Sequence, residues 1–317
     1  MDYEKHLNVS INKSNLSALS LAQSVEMEKR ICEIAEIASV IAEEIIALCN
    51  DGYGLYEIVE MLRDAAYTYD APDNCGALLE NRKRVDAYLR TVSGADKGVF
   101  AELLSIMLGD RAHQIAEDDF LHLGSGDETL TYVKNKLADE AYDVFSQELA
   151  DPRVFYSSTF RDAALAVVNE KTRFCILPLE ELGGVRLSGI EELIFKHDLK
   201  INMITPVFGV DGMADMKYAL ISKHFFVPDF SPDDDRYIEV KLQAEDSSEL
   251  LEVITAANTL GISVYRVNTL CLDTDEGEGA SFTLVLKRSG KTFVDMLFYL
   301  AFFSPSHMVV GIYKNLE

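Results

Sequence analysis

Residues 236–317 switch between two periodicities in the order strand, helix, strand, strand, helix, strand, and few folds accept that order. Tyr237–Leu242 alternates apolar and polar side chains as a half-buried strand does. Ser247 or Ser248 caps a helix that runs to Leu260 and stops at Gly261. Ile262–Leu270 reads as a strand, Asp273–Gly279 as an acidic hairpin loop and Phe282–Leu286 as the next strand. Thr292–Phe303 reads as a helix and Met308–Tyr313 as the last strand. The result is a ferredoxin-like βαββαβ unit.

The stretch from Phe226 to Asp235 has two prolines and a short acidic run, as boundaries between domains often do. Upstream of it, residues 119–225 alternate strand and helix, which predicts a sheet with helices packed on it. Phe120–Leu123 reads as a strand, Gly124-Ser125-Gly126 as a turn, and a helix is expected from Asp127. Val154–Tyr156 and Phe174–Leu177 read as strands, with a helix between them that Ser157, Ser158 or Thr159 caps. A helix at Ser188–His197 leads to strands at Lys200–Phe208 and Met216–Ser222. Residues 1–118 read as helices, because Ile34, Ile37, Ile41, Ile45 and Leu48 recur at helical spacing. Three domains follow, at 1–118, 119–225 and 236–317, within a mixed α+β and α/β architecture.

The formal net charge of −24 repels phosphate backbones and anionic bilayers, so neither nucleic acid nor membrane is expected as a partner. The five cysteines form no CxxC pair, and the six histidines have no metal-ligand spacing, so no disulfide framework, metal or other cofactor is expected. No apolar h-region opens the chain, and a cytoplasmic location is expected.

Val154–Phe208 resembles the prephenate dehydratase family. In that family a strand and a capped helix precede a segment reading roughly valine-proline-isoleucine-glutamate-asparagine-serine, then glycine-valine, a helix and a strand. The matching residues are Ile176-Leu177-Pro178-Leu179-Glu180-Glu181-Leu182, then Gly184-Val185 and Gly189–Ile201. His122–Glu128 stands where the family has its opening strand and glycine turn. The domain order agrees too, since the family's dehydratase domain is often followed by an ACT domain, here the βαββαβ unit. The resemblance implies a periplasmic-binding-protein-like α/β lobe, an ACT module and an origin in phenylalanine biosynthesis.

Three departures bear on the activity that the resemblance implies. Pro206–Phe208 runs almost directly into Ala214–Ser222, so the family's second lobe is expected to be missing. The family's threonine-arginine-phenylalanine on the closing strand is replaced by Met216-Lys217-Tyr218, and methionine cannot donate the proton that a leaving hydroxyl needs. Glu181 replaces a neutral amide beside a dianionic substrate. A literal Thr172-Arg173-Phe174 occurs on a different strand and reads as coincidence.

The candidate ligand contacts are Ser125, Ser158, Thr159, Glu180, Ser248, Leu250 and Asn268, and no catalytic residue is assigned. Ser125 sits in a glycine turn that could cradle an anion or simply connect elements. Ser158 and Thr159 could donate to an oxyanion or only cap a helix. Glu180 keeps the family's glutamate and could hold an amine or a loop. Ser248-Glu249-Leu250 and Asn268 match the family's effector segments, of which only the leucine survives. The expected function is that of a degenerate dehydratase-like regulator binding an amino acid or a shikimate-pathway acid, as a homodimer. The alternative is an active dehydratase with a chorismate mutase-like N-terminal domain, for which Arg30, Arg82, Lys83, Arg84 and Arg90 are available cations.

Overall fold

The computed structural model describes residues 21–64, 76–89, 92–109, 128–149, 152–209, 214–226, 235–244, 247–274, 277–289 and 293–316. Among these residues four helices come first: α1 (Leu21–Asn50), α2 (Leu55–Asp64), α3 (Gly76–Leu89) and α4 (Gly94–Leu108). An α/β segment follows, with β1 (Thr129–Tyr132), α5 (Lys136–Phe145), β2 (Arg153–Tyr156), α6 (Phe160–Val168), β3 (Phe174–Glu181) and β4 (Val185–Arg186). It continues through α7 (Ser188–Lys196), β5 (Lys200–Val207) and β6 (Met216–Ser222). The last unit is β7 (Asp235–Ala244), α8 (Ser247–Thr259), β8 (Ser263–Thr274), β9 (Gly277–Ser289), α9 (Val294–Phe303) and β10 (His307–Asn315).

The ten strands among the described residues belong to one mixed sheet, ordered β2-β1-β3-β6-β5-β10-β7-β9-β8, with β4 paired to β3 alone. The first half is parallel at β2-β1-β3, and antiparallel β6 lies between β3 and β5. The second half is antiparallel throughout, and its internal order follows from the βαββαβ chain path. The two halves meet where β10 runs parallel to β5, with Gly311 opposite Ile201 and Asn315 opposite Ile204. Val207 pairs with Met216 across a hairpin, so only residues 208–215 stand between β5 and β6.

One expected element is misplaced. Residues 129–132 form the opening strand where a helix from Asp127 was expected, and Phe120–Leu123 lies outside the described residues. Thr129-Leu130-Thr131-Tyr132 has the period of two and the β-branched residues of a strand. The helix begins only after Asn135, whose side chain accepts from the Ala138 N–H.

The N-terminal helices cover the helical side of the βαββαβ unit. Ile34, Ala38, Ile41, Ile45 and Leu48 of α1 share one apolar core with Ile238, Val240 and Leu242 of β7 and with α9. Helix α9 is buried on every side from Val294 to Phe302, because the sheet lies on one face and α4 on another. The Phe100 ring meets Phe302 and Phe303 edge-on, with centroids 5.2 Å and 5.9 Å apart. Gly98 lets α4 approach α8 closely, since a Cβ there would stand 3.2 Å from Thr259 Cβ. On the opposite face of the sheet, α6 and α7 cover Cys175, Leu177 and Ile201 together with Tyr237, Val285 and Tyr313. That core therefore crosses the junction between the two halves.

Candidate functional site

The chain leaves β1 for β2 on one side and returns to β3 on the other, and ligands in α/β sheets usually bind beyond the carboxyl ends of strands at such a reversal. Helices α5 and α6 both start at that end. Thr159 is the N-cap of α6, its Oγ1 accepting the Asp162 N–H at 3.0 Å. Its oxygen is thus engaged, and Thr159→Ala should cost about 1 kcal/mol in a denaturant titration. Ser158 beside it is exposed, and Ser157 Oγ lies 2.8 Å from Thr131 Oγ1. The Tyr132 hydroxyl donates to Asp139 at 2.7 Å. Burial, then that bond, pushes the phenol well above its ordinary value. Tyr156, Leu182 and Phe208 are exposed apolar side chains at the same end of the sheet.

Glu180, at the end of β3, is 1% exposed and is held by three cations from three strands. Its Oε1 is 2.7 Å from Lys217 Nζ, and its Oε2 is 3.0 Å from Arg186 Nε and 2.5 Å from Arg266 Nη1. Arg186 also pairs with Glu239 of β7 at 2.7 Å, and the Tyr313 hydroxyl donates to the same Glu239 oxygen at 3.1 Å. Burial pushes the Glu180 carboxyl up, but the Lys217 hydrogen bond and the three positive charges outweigh it and hold the group below its usual range. Five strands separate β3 from β8 in the sheet order, so the Glu180–Arg266 pair reports how far the sheet curls.

The closing strand β6 holds Met216, Lys217 and Tyr218. Met216 packs against the apolar cluster around Leu130 and Tyr132, and Lys217 is spent on Glu180. Tyr218 is buried, and that burial raises its phenol. No side chain of this trio is an exposed acid.

The remaining candidates lie apart. Ser125 lies outside the described residues, and the strand at 129–132 removes the helix start that its glycine turn was expected to feed. Ser248 is exposed on α8, and Leu250 packs into the core on the helical side of the βαββαβ sheet. Asn268 is half-buried and pairs with Thr283, which places it on the opposite face from α8. Of the cations considered for a mutase site, Arg30 pairs with Asp96 at 3.5 Å, and buried Arg82 donates to the Ala301 carbonyl at 3.2 Å. The side chains of Arg84 and Arg90 lie outside the described residues.

A cavity of about 220 Å³ opens at the other end of the sheet, the amino end of β1 and β3. Thr129, Thr172 and Arg173 line it, with Lys223 and His224 after β6 and an apolar floor from Val167 and Phe226. The literal Thr172-Arg173-Phe174 therefore stands at the end opposite Glu181 and Met216. Sequence reasoning missed this cavity, and the only local signal was a threonine-arginine pair just ahead of an apolar strand.

Fold and site together define a single mixed α/β lobe continued, through one sheet, into a βαββαβ unit. No family model matches the chain, and no characterised protein matches it in sequence. Among solved structures it is similar to the prephenate dehydratase from Streptococcus mutans, with 12% identity over 60% of this chain and 100% of that one and a TM-score of 0.48. It is also similar to the prephenate dehydratase of Arthrobacter aurescens in complex with L-Phe, with 12% identity, 59% and 90% coverage and a TM-score of 0.46. A third is GqqA, described as a novel type of quorum quenching acylase, with 16% identity, 60% and 96% coverage and a TM-score of 0.46. These likenesses concern the fold alone. No described helix is long and apolar enough to cross a membrane, and no described cluster of His, Cys, Asp and Glu could hold a metal ion.

Proposed function

We propose that the chain is a catalytically degenerate relative of the prephenate dehydratases that binds a small molecule and regulates rather than reacts. In this reading the ligand is an amino acid or an aromatic precursor, the βαββαβ unit is an ACT-type module, and the working form is a cytoplasmic homodimer. The observation that carries it is the state of β6 and its hairpin. Residues 208–215 leave no second lobe to exclude water, and Met216-Lys217-Tyr218 offers a thioether, a paired ammonium and a buried phenol in place of an acid.

Prephenate incubated with the protein at high concentration should give no phenylpyruvate absorbance, and its appearance overturns the degenerate reading. A thermal-shift screen of amino acids and shikimate-pathway acids tests the binding half. A ligand selective for the folded state at about 100 times its Kd stabilises by about 2.7 kcal/mol. A flat screen overturns ligand binding and leaves an oligomerising role.

A further inference from the structure

Helix α7 buries a carboxylate that no described residue pairs with. Glu191, in its first turn, is 7% exposed, and acidic side chains are almost never that buried unless they are paired. It makes no hydrogen bond or ion pair with any described residue. The two arginines whose charges reach it are held by other acids, Arg186 by Glu180 and Glu239, and Arg266 by Glu180. Burial pushes the Glu191 carboxyl above its ordinary range, and Arg186 and Arg266 do not offset that, because Glu239 and Glu180 act against them. The carboxyl oxygens are not sealed off, unlike the hydroxyls of Ser281 and Thr283 on β9, which are fully enclosed and unbonded.

Lys241 of β7 is the complementary half. It is half-buried and lies two residues from Glu239, on the same face of the sheet. It too makes no hydrogen bond or ion pair with any described residue, Glu191 included. Its ammonium lies 4.2 Å from the centre of the Phe195 ring. Phe195 follows Glu191 by one turn of α7, so the ring and the carboxyl share one helix face. Burial pushes the ammonium below its ordinary value and the charge of Glu191 draws it back up, so the two groups sense each other without touching. Half-buried Met308 stands opposite Lys241 on β10 and adds apolar surface. A carboxylate and an ammonium kept apart beside an aromatic ring suit a guest that carries both opposite charges. A guest with one charge would leave the other group without a counter-charge.

We propose that Glu191 and Lys241 bind a free α-amino acid, its ammonium on the Glu191 carboxylate and its carboxylate on the Lys241 ammonium, with an apolar side chain against Phe195 and Met308. The site rests on the ligand-binding half of the reading above and needs nothing of the degenerate half.

L-leucine and L-phenylalanine serve as probes. 4-Methylpentanoate is leucine without its amine, and 3-methylbutylamine is leucine without its carboxylate. Titration calorimetry on the full chain should show saturable binding of at least one amino acid, with the two leucine fragments at least tenfold weaker than leucine. Glu191→Gln should weaken the amino acid at least tenfold and should bind leucine and 4-methylpentanoate equally. Lys241→Met, which keeps the apolar stem, should weaken it by a similar factor and should bind leucine and 3-methylbutylamine equally. Without ligand, Glu191→Gln should melt no lower than the wild type, since it removes a buried charge that has no partner. A lower melting temperature would show that the carboxylate already has its cation, and would overturn the proposal. Amino-acid binding that survives both substitutions places the ligand elsewhere, which sinks this site and leaves ligand binding standing. Binding of neither amino acid removes the site as well. Turnover of prephenate would count only against the degenerate reading.

Discussion

Replacing Glu180 by alanine is expected to cost about 3 kcal/mol of folding stability, the low end of the range for breaking a buried ion pair. The loss comes from what remains behind. Arg186, whose side chain is 6% exposed, would retain only Glu239, while Lys217 and Arg266 would lose their shared acceptor. Lys217 and Arg266 are 25% and 19% exposed and can regain some water, which keeps the figure at the low end. The pH dependence has a definite sign. The folded carboxyl titrates below its unfolded counterpart, so its stabilisation is complete above about pH 4.3 and disappears as pH falls through the lower, folded value. Urea titrations from pH 7 down to pH 3 should show wild type and Glu180→Gln converging at the acid end. Equal stability of the two proteins at pH 7 would sink the network as a structural element.

Gly311→Ala should destabilise the chain by about 1–3 kcal/mol, the usual cost of overpacking. A Cβ on residue 311 would stand 2.8 Å from both the Cβ and the carbonyl oxygen of Ile201, and 2.9 Å from Tyr313 Cδ1. One of those atoms is backbone of β5, so the clash is relieved only by moving the strands apart. Position 311 lies where β10 changes register against both β5 and β7, at the seam of the two half-sheets. Chemical denaturation reads the stability. Hydrogen exchange at Ile201, Met203 and Ile204 then tests whether the loss is at the seam. An alanine variant as stable as the wild type would mean that β5 and β10 do not meet in this register.

Much of the strand and helix order is local and was legible. Ile238, Val240 and Leu242 alternate and are buried, and Gly261 ends α8 with a φ of +71° that favours glycine. Thr159 caps α6, and Met216–Ser222 is a strand with the expected limits. Strand β1 was missed because four residues carry little periodic signal, and an apolar run nearby at Phe120–Leu123 competed for the same role. Helix α9 held an unread clue. Val294–Phe303 has almost no polar face, and a helix apolar all round must be covered on both sides. The N-terminal helices supply that second cover.

The candidate contacts were harder to read, because a residue type at a strand or helix end has several local uses. Thr159 has a capping role that needs only its own helix, whereas the partners of Glu180 come from β4, β6 and β8, up to 86 residues away. The lining of the amino-end cavity likewise joins residue 129, residues 172–173 and residues 222–226.

The sequence by itself determined the βαββαβ order, the short connection before β6, the absence of an acid at 216–218 and the acidic net charge. Each follows from neighbours within a few residues, where periodicity and backbone preference act. Only the tertiary structure decided that the two half-sheets join through β5 and β10, that Glu180 is enclosed by Lys217, Arg186 and Arg266, and that a donor-lined cavity opens beneath Thr172. Strand edges pair through backbone groups that every residue carries, and a buried charge chooses partners by position in space. Neither leaves a spacing along the chain that could have been read in advance.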